Sequence, residues 1–194
     1  GMGLIHNGNL TNYKDLKDQV TGDNRRFLNT KSDTEVLLNV LADEVMKSSA
    51  DKMTPDNFFE AVKKTMGRIQ GSYSIITLIA GHGLLAFRDP YGNRPLCFGK
   101  RSTTKGEEYI VASESVALDV LGFELIRDVQ PGEAIFIDMK RQVHTKQLVE
   151  SKWAPCLFEW IYLARPDSSI DHVSVYKARL RMGEALGRKL KKLL

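Results

Sequence analysis

The polarity pattern changes period at Gly71. Ahead of it, apolar residues recur three and four apart. Val36, Leu37, Val40, Leu41 and Val45 predict a helix over residues 33–47, and Ser32-Asp33-Thr34-Glu35 before them has the spacing of a capping box. Thr54-Pro55 predicts another helix start, with Phe58, Val62, Met66 and Ile69 along one face. A shorter helix through Tyr13, Leu16 and Val20, capped by Thr11 or Asn12, ends at Gly22. Two short strands are predicted here as well: the apolar run at 2–5, stopping at an Asn7-Gly8 turn, and residues 25–30.

Beyond Gly71 the residues become β-branched and continuous. Residues 72–80 (SYSIITLIA) read as a strand covered on both faces, and Gly81-His82-Gly83 turns it into a second strand at 84–88. The turn at Asp89-Pro90-Tyr91-Gly92-Asn93 leads to extended segments at 95–99 and 109–112. Ser113 is placed as the cap of a helix over 114–121, and residues 133–138 and 142–145 form a closing hairpin. The apolar run 156–164 predicts one more strand, followed by the polar break Arg165-Pro166-Asp167-Ser168-Ser169. Val175, Ala178, Met182, Ala185, Leu186, Leu190 and Leu193 then line one side of a last helix, whose stripe no remaining chain could cover. Helices first and short-turned strands afterwards predict an α+β fold with helices packed on an antiparallel sheet.

Charge and cysteine content narrow the class. The net charge is +4, but residues 177–194 carry seven basic residues and one acid, so the rest of the chain is slightly acidic. The basicity lies in one terminal helix, not in an aromatic-interleaved basic face, so nucleic acid is not an expected partner. Cys97 and Cys156 are too few for a disulfide framework and fit a reducing compartment. There is no signal peptide and no run of 18 apolar residues, so a cytoplasmic protein with no membrane partner is expected.

Few residues suggest chemistry. The Asn7 side-chain amide and the Gly8 N–H could together hold the oxyanion of a tetrahedral intermediate; read alone, a plain turn is the simpler account. Asp33 is either a carboxylate in a first helical turn or a group that recognises a substrate ammonium, and spacing favours the former. Arg88 and Arg94 flank the Asp89 turn as possible ion-pair partners. Cys97 lies between Leu96 and Phe98, and Cys156 between Pro155 and Leu157, so both read as buried small hydrophobes and not as reactive thiols. His6, His82, His144 and His172 lack metal-ligand spacing, and no metal site is predicted.

Taken together, His6-Asn7-Gly8-Asn9-Leu10, Ser32-Asp33-Thr34-Glu35, Arg88-Asp89-Pro90-Tyr91-Gly92-Asn93-Arg94-Pro95-Leu96 and Ala112-Ser113-Glu114 resemble the glutamine domain of N-terminal-nucleophile amidotransferases. Residues 156–168, CLFEWIYLARPDS, are similar to the segment joining the two domains of the amidophosphoribosyltransferase family. That family makes phosphoribosylamine from glutamine and phosphoribosyl pyrophosphate, the first committed step of purine synthesis. The resemblance implies a four-layer α-β-β-α sandwich of the N-terminal-nucleophile hydrolase type, incomplete at its N-terminus, with a C-terminal helix from a second domain. Residues 1–160 would be the glutaminase domain, 161–172 a connection, and 173–194 the first helix of a phosphoribosyltransferase domain.

By the same resemblance, Asn7 and Gly8 match the family's oxyanion-hole pair, and Asp33 matches the residue that binds the glutamine α-amino group. The family's nucleophile is an N-terminal cysteine. The chain begins at Gly1, so it is expected to be an internal fragment without that cysteine, inactive alone. No cofactor is expected in this chain, with magnesium serving the full-length enzyme's phosphoribosyltransferase domain. Some relatives bind an iron–sulfur cluster through a cysteine at the position of Cys156, and others keep that cysteine without one. A homo-oligomer is expected at full length. The alternatives are a different N-terminal-nucleophile amidotransferase, such as a glucosamine-6-phosphate or asparagine synthetase, and a nucleophile-less binding or regulatory domain of the same fold.

Overall fold

The structure, a computed structural model, describes residues 1–22, 26–48 and 53–193. In chain order the elements are β1 (Met2–Leu10), α1 (Tyr13–Gly22), α2 (Asp33–Lys47), α3 (Pro55–Arg68), β2 (Gly71–Ile79), β3 (Gly83–Arg88), β4 (Cys97–Thr103), β5 (Gly106–Ala112), α4 (Ser115–Val120), β6 (Glu124–Asp128), β7 (Glu133–Asp138) and β8 (Val143–Gln147). A π-helical turn at Glu159–Leu163, a minimal hairpin of β9 (Ser169–Ile170) and β10 (Val173–Ser174), and α5 (Val175–Lys191) complete it. The chain divides into two compact units, residues 1–94 with 129–154 and residues 95–128 with 155–194.

The first unit is an antiparallel sheet in the order β1-β2-β3-β7-β8, with α2 packed against β1 and α3 against β7. Register explains its core. Ile75 pairs with Phe87 and Phe87 with Ala134, while Thr77 pairs with Leu85 and Leu85 with Phe136, so these side chains share one face. They are buried with Val36, Leu37, Val40 and Leu41 of α2 and Phe58, Val62 and Met66 of α3. Both helix starts fall where expected. Thr54 and Asn57 form a reciprocal capping box at α3, with Pro55 in the first turn.

At α2 the expected box is not the one formed. The Ser32 hydroxyl accepts from the Thr34 N–H, but the Glu35 carboxylate reaches past Ser32 to the N–H groups of Asn29 and Thr30 and the Thr30 hydroxyl. Those bonds hold residues 29–30 in a bend, so 26–30 is not the predicted strand; Arg25 lies outside the described residues.

β1 departs furthest from expectation. There is no turn at Asn7-Gly8: the strand pairs with β2 without a slip from Met2–Ile79 through Leu10–Gly71. A continuous ladder supplies partners for backbone groups that a turn would leave to local bonds. Gly8 is still required, for a different reason. Its φ is 152°, and a Cβ there would lie 1.9 Å from the Ser72 carbonyl oxygen.

The second unit holds the three-stranded antiparallel sheet β5-β4-β6, with a register shift at Phe98/Gly99. β6 was not anticipated from the sequence. Nor does Ser113 cap α4, whose N-cap residue is Glu114 with no side-chain cap bond. Glu114 instead accepts from the Arg165 N–H (2.9 Å) and the Ser168 hydroxyl (2.7 Å), while the Ser115 hydroxyl accepts from the Ser169 N–H (2.9 Å). The run 156–164 is not a strand. Its apolar residues coil into the π-helical turn, where the Ala164 N–H donates to the Glu159 carbonyl, burying Trp160 and Ala164 against Ile170 and Val175. Continuous apolarity suits a short helix as well as a strand, and burial on one side decided for the helix.

Candidate active site

Asn7, Ser74 and Arg88 stand side by side on three adjacent strands, because Asn7 pairs with Ser74 and Ser74 with Arg88. They form a polar row at one level of the first unit's sheet. The loop after β3 folds back over this row and is held there by two charged side chains buried from solvent, Arg88 and Asp89. The Asp89 carboxylate accepts from the N–H groups of Tyr73, Tyr91, Asn93 and Arg94. Arg88 donates to the carbonyls of Val129 (2.8 Å), Gly92 (3.0 Å) and Arg94 (2.8 Å). Turn chemistry explains Asp at the head of the loop, since a carboxylate there gathers the N–H groups that follow it. The buried arginine donates to carbonyls of residues that lie outside the strands.

These bonds deliver Arg94 to the row. Its carbonyl accepts from the Ser74 hydroxyl (3.0 Å), and its guanidinium donates twice to the Asn7 side-chain oxygen, from Nε at 3.0 Å and Nη2 at 2.7 Å. A guanidinium has no acceptor, so the atom it meets twice is the amide oxygen. The planar amide therefore turns its Nδ2 the other way.

Asp33 opens α2, and its Oδ2 accepts from the Leu10 N–H at 3.1 Å, fastening the helix to the end of β1. Oδ1 lies 3.8 Å from His6 Nδ1. The His6 ring is buried, and burial holds its pKa below the ordinary 6.5 although Asp33 pulls the other way. Asp33 keeps about a quarter of its side chain exposed. A carboxylate has about four lone-pair sites, and these two neighbours leave room for an ammonium donor. The structural and substrate-binding readings of Asp33 are thus compatible.

Cys97 does not have the character of a nucleophile. Cys97 is buried in β4, where burial and the neighbouring Asp128 carboxylate push its thiol up to about 12. Cys156 is half-buried and precedes the π-helical turn instead of lying in the predicted strand. Among the described residues no three His, Cys, Asp or Glu side chains converge as metal ligands.

The sequence reading missed the roles of Arg88, Asp89 and Arg94. The Asp89-Pro90-x-Gly92 signal located the loop; the polar row beneath it depends on pairing between strands far apart in sequence.

Residues 1–120 match the model of the glutamine amidotransferase domain family, which is more than half of the chain. The chain belongs to that family. It is 51% identical over 191 residues to an amidophosphoribosyltransferase from Pseudomonas aeruginosa and 50% identical over 192 residues to one from Escherichia coli, covering 98% of this chain and 38% of each relative. The chain therefore spans well under half the length of these relatives. An allosteric regulatory enzyme of purine biosynthesis superimposes on 97% of the chain, with a TM-score of 0.80 at 31% identity, the chain covering 37% of it. The glutamine phosphoribosylpyrophosphate amidotransferase of B. subtilis matches 90% with a TM-score of 0.73, also at 31% identity, the chain covering 35% of it. The α+β fold of the N-terminal-nucleophile type that the family's motifs implied is the fold of this chain.

Proposed function

We propose that this chain is the glutaminase part of an amidophosphoribosyltransferase, which releases ammonia from glutamine and passes it to phosphoribosyl pyrophosphate in the first committed step of purine synthesis. The observation that carries the reading is the likeness over 98% of the chain to relatives of that name. Asn7 Nδ2 and the Gly8 N–H would stabilise the oxyanion formed when the glutamine side-chain amide is attacked. Asp33, held against Leu10, would receive the substrate's α-ammonium group.

The nucleophile is proposed to be an N-terminal cysteine outside these 194 residues, as in the family whose motifs the chain resembles; the thiol of Cys97, buried in β4 and pushed up to about 12, is a poor candidate. The 194-residue chain alone is accordingly expected to hydrolyse no glutamine. In the same reading residues 1–160 form the glutaminase domain, 161–172 the connection, and 173–194 the first helix of a phosphoribosyltransferase domain. Magnesium is expected at the phosphoribosyltransferase step, and the donor set among the described residues does not fit it. The full-length enzyme is proposed to be a cytoplasmic homo-oligomer with glutamine and phosphoribosyl pyrophosphate as substrates and no nucleic-acid or membrane partner. No described helix is long and apolar enough to cross a membrane.

The test is stoichiometry. The full-length enzyme given both substrates should release one glutamate and one pyrophosphate per turnover. Glutamate release that depends on fructose 6-phosphate, or on aspartate with ATP, would identify a different amidotransferase. Binding of glutamine without turnover would identify a regulatory domain.

A further inference from the structure

The geometry points to Arg94 as the residue that sets the direction of the Asn7 amide, and so makes Asn7 a donor to the oxyanion; this rests on the glutaminase reading above. An asparagine amide can present either its oxygen or its NH2 to a neighbour, and only the NH2 stabilises an oxyanion. Nothing in Asn7 itself chooses. Arg94 does, by placing two donors, at 3.0 and 2.7 Å, on the same oxygen. The reversed amide would set NH2 against N–H groups of a cation, so it is excluded. The positive charge also draws electron density toward Oδ1, which makes the opposing N–H groups stronger donors.

The loop is built to hold Arg94 still. Its N–H is bonded by Asp89, and its carbonyl by both Ser74 and Arg88. Arg88 and Asp89 are buried, so the anchor is rigid. The arrangement fixes the donor before the substrate arrives, the condition under which such a group is most effective. Arg94 is a positioning residue: it acts on the reaction through Asn7.

The test is a double-mutant cycle in the full-length enzyme proposed above, with Asn7→Ala, Arg94→Met and the pair. Arg94→Met should lower kcat for glutamine roughly 10- to 100-fold, as expected for a misdirected catalytic group. The KM for glutamine should stay within about twofold, the signature of an interaction made in the transition state. The pair should be no slower than Asn7→Ala alone, because Arg94 has nothing left to position. Arg94→Lys, which keeps the charge but cannot grip one oxygen from two positions, should fall between wild type and Arg94→Met.

Multiplicative losses in the double mutant would overturn the proposal, as would wild-type kcat in Arg94→Lys and Arg94→Met. So would equal loss of the ammonia-dependent reaction, which bypasses glutamine hydrolysis, since that would mean a structural role. If Arg94→Met does not fold, Arg94→Lys carries the same comparison. Wild-type turnover in Asn7→Ala would instead sink the oxyanion reading itself.

Discussion

Helices α3 and α5 carry the same kind of amphipathic pattern and meet opposite fates. In α3, Phe58, Phe59, Ala61, Val62, Thr65 and Met66 are all buried, and Phe58 stacks on Phe136 with ring centroids 4.7 Å apart. In α5 only Val175 is buried; Ala178 and Met182 are half-covered near Trp160, Ala164 and Ile170, while Leu180, Leu186 and Leu190 are exposed. An apolar stripe specifies that a helix has something to bury. It does not say where the covering surface is. For α3 that surface is the sheet of its own compact unit, whose strands β3 and β7 come later in the chain. For the last turns of α5 none of the described residues supplies it.

Truncating a stripe residue on each helix measures that difference. Phe58→Ala in the 194-residue protein should destabilise the first unit by about 3–5 kcal/mol in denaturant unfolding, the usual cost of emptying an aromatic site. Leu186→Ala should change stability by no more than about 0.5 kcal/mol in the same protein, as for other exposed positions. At full length, with α5 docked in a phosphoribosyltransferase domain as proposed, the Leu186→Ala cost should rise to about 2–5 kcal/mol. Equal costs for Leu186→Ala in both contexts would argue against that docking.

A smaller effect sharpens the same contrast at the start of α2. The Thr30 hydroxyl and the Asn29 N–H hold the Glu35 carboxyl down at about 2, below its ordinary 4.5. Its folded-state pKa is depressed, so the stability it contributes is complete above about pH 4.5 and is lost as pH falls toward about 2. Glu35→Gln should flatten the melting temperature against pH in that window. An unchanged slope would mean that these bonds do not couple to folding.

Local signals were legible where the local choice and the fold agreed. The bounds of α2 and the start of α3 followed from apolar spacing and from Ser32 and Thr54, and β2, β3, β7 and β8 from turn residues between apolar runs. Asn7-Gly8 shows the opposite case. The pair favours a turn by itself, but nine residues of β1 find partners on β2 some seventy positions later, and the ladder wins. The π-helical turn was missed because periodicity cannot separate a short buried helix from a strand. At the site, Asn7, Gly8 and Asp33 stood out by resemblance to a family. The role of Arg94 did not, because it meets Asn7 across 87 positions through a loop in which Asp89 read as an ordinary turn signal and Arg88 and Arg94 as its possible ion-pair partners.

The most direct measurement compares glutamine-dependent with ammonia-dependent synthesis in full-length enzyme carrying Asn7→Ala. If Asn7 donates to the oxyanion, glutamine-dependent turnover falls about 10²- to 10³-fold while the ammonia reaction survives. Equal loss of both activities would make Asn7 a structural residue of β1 and contradict the account.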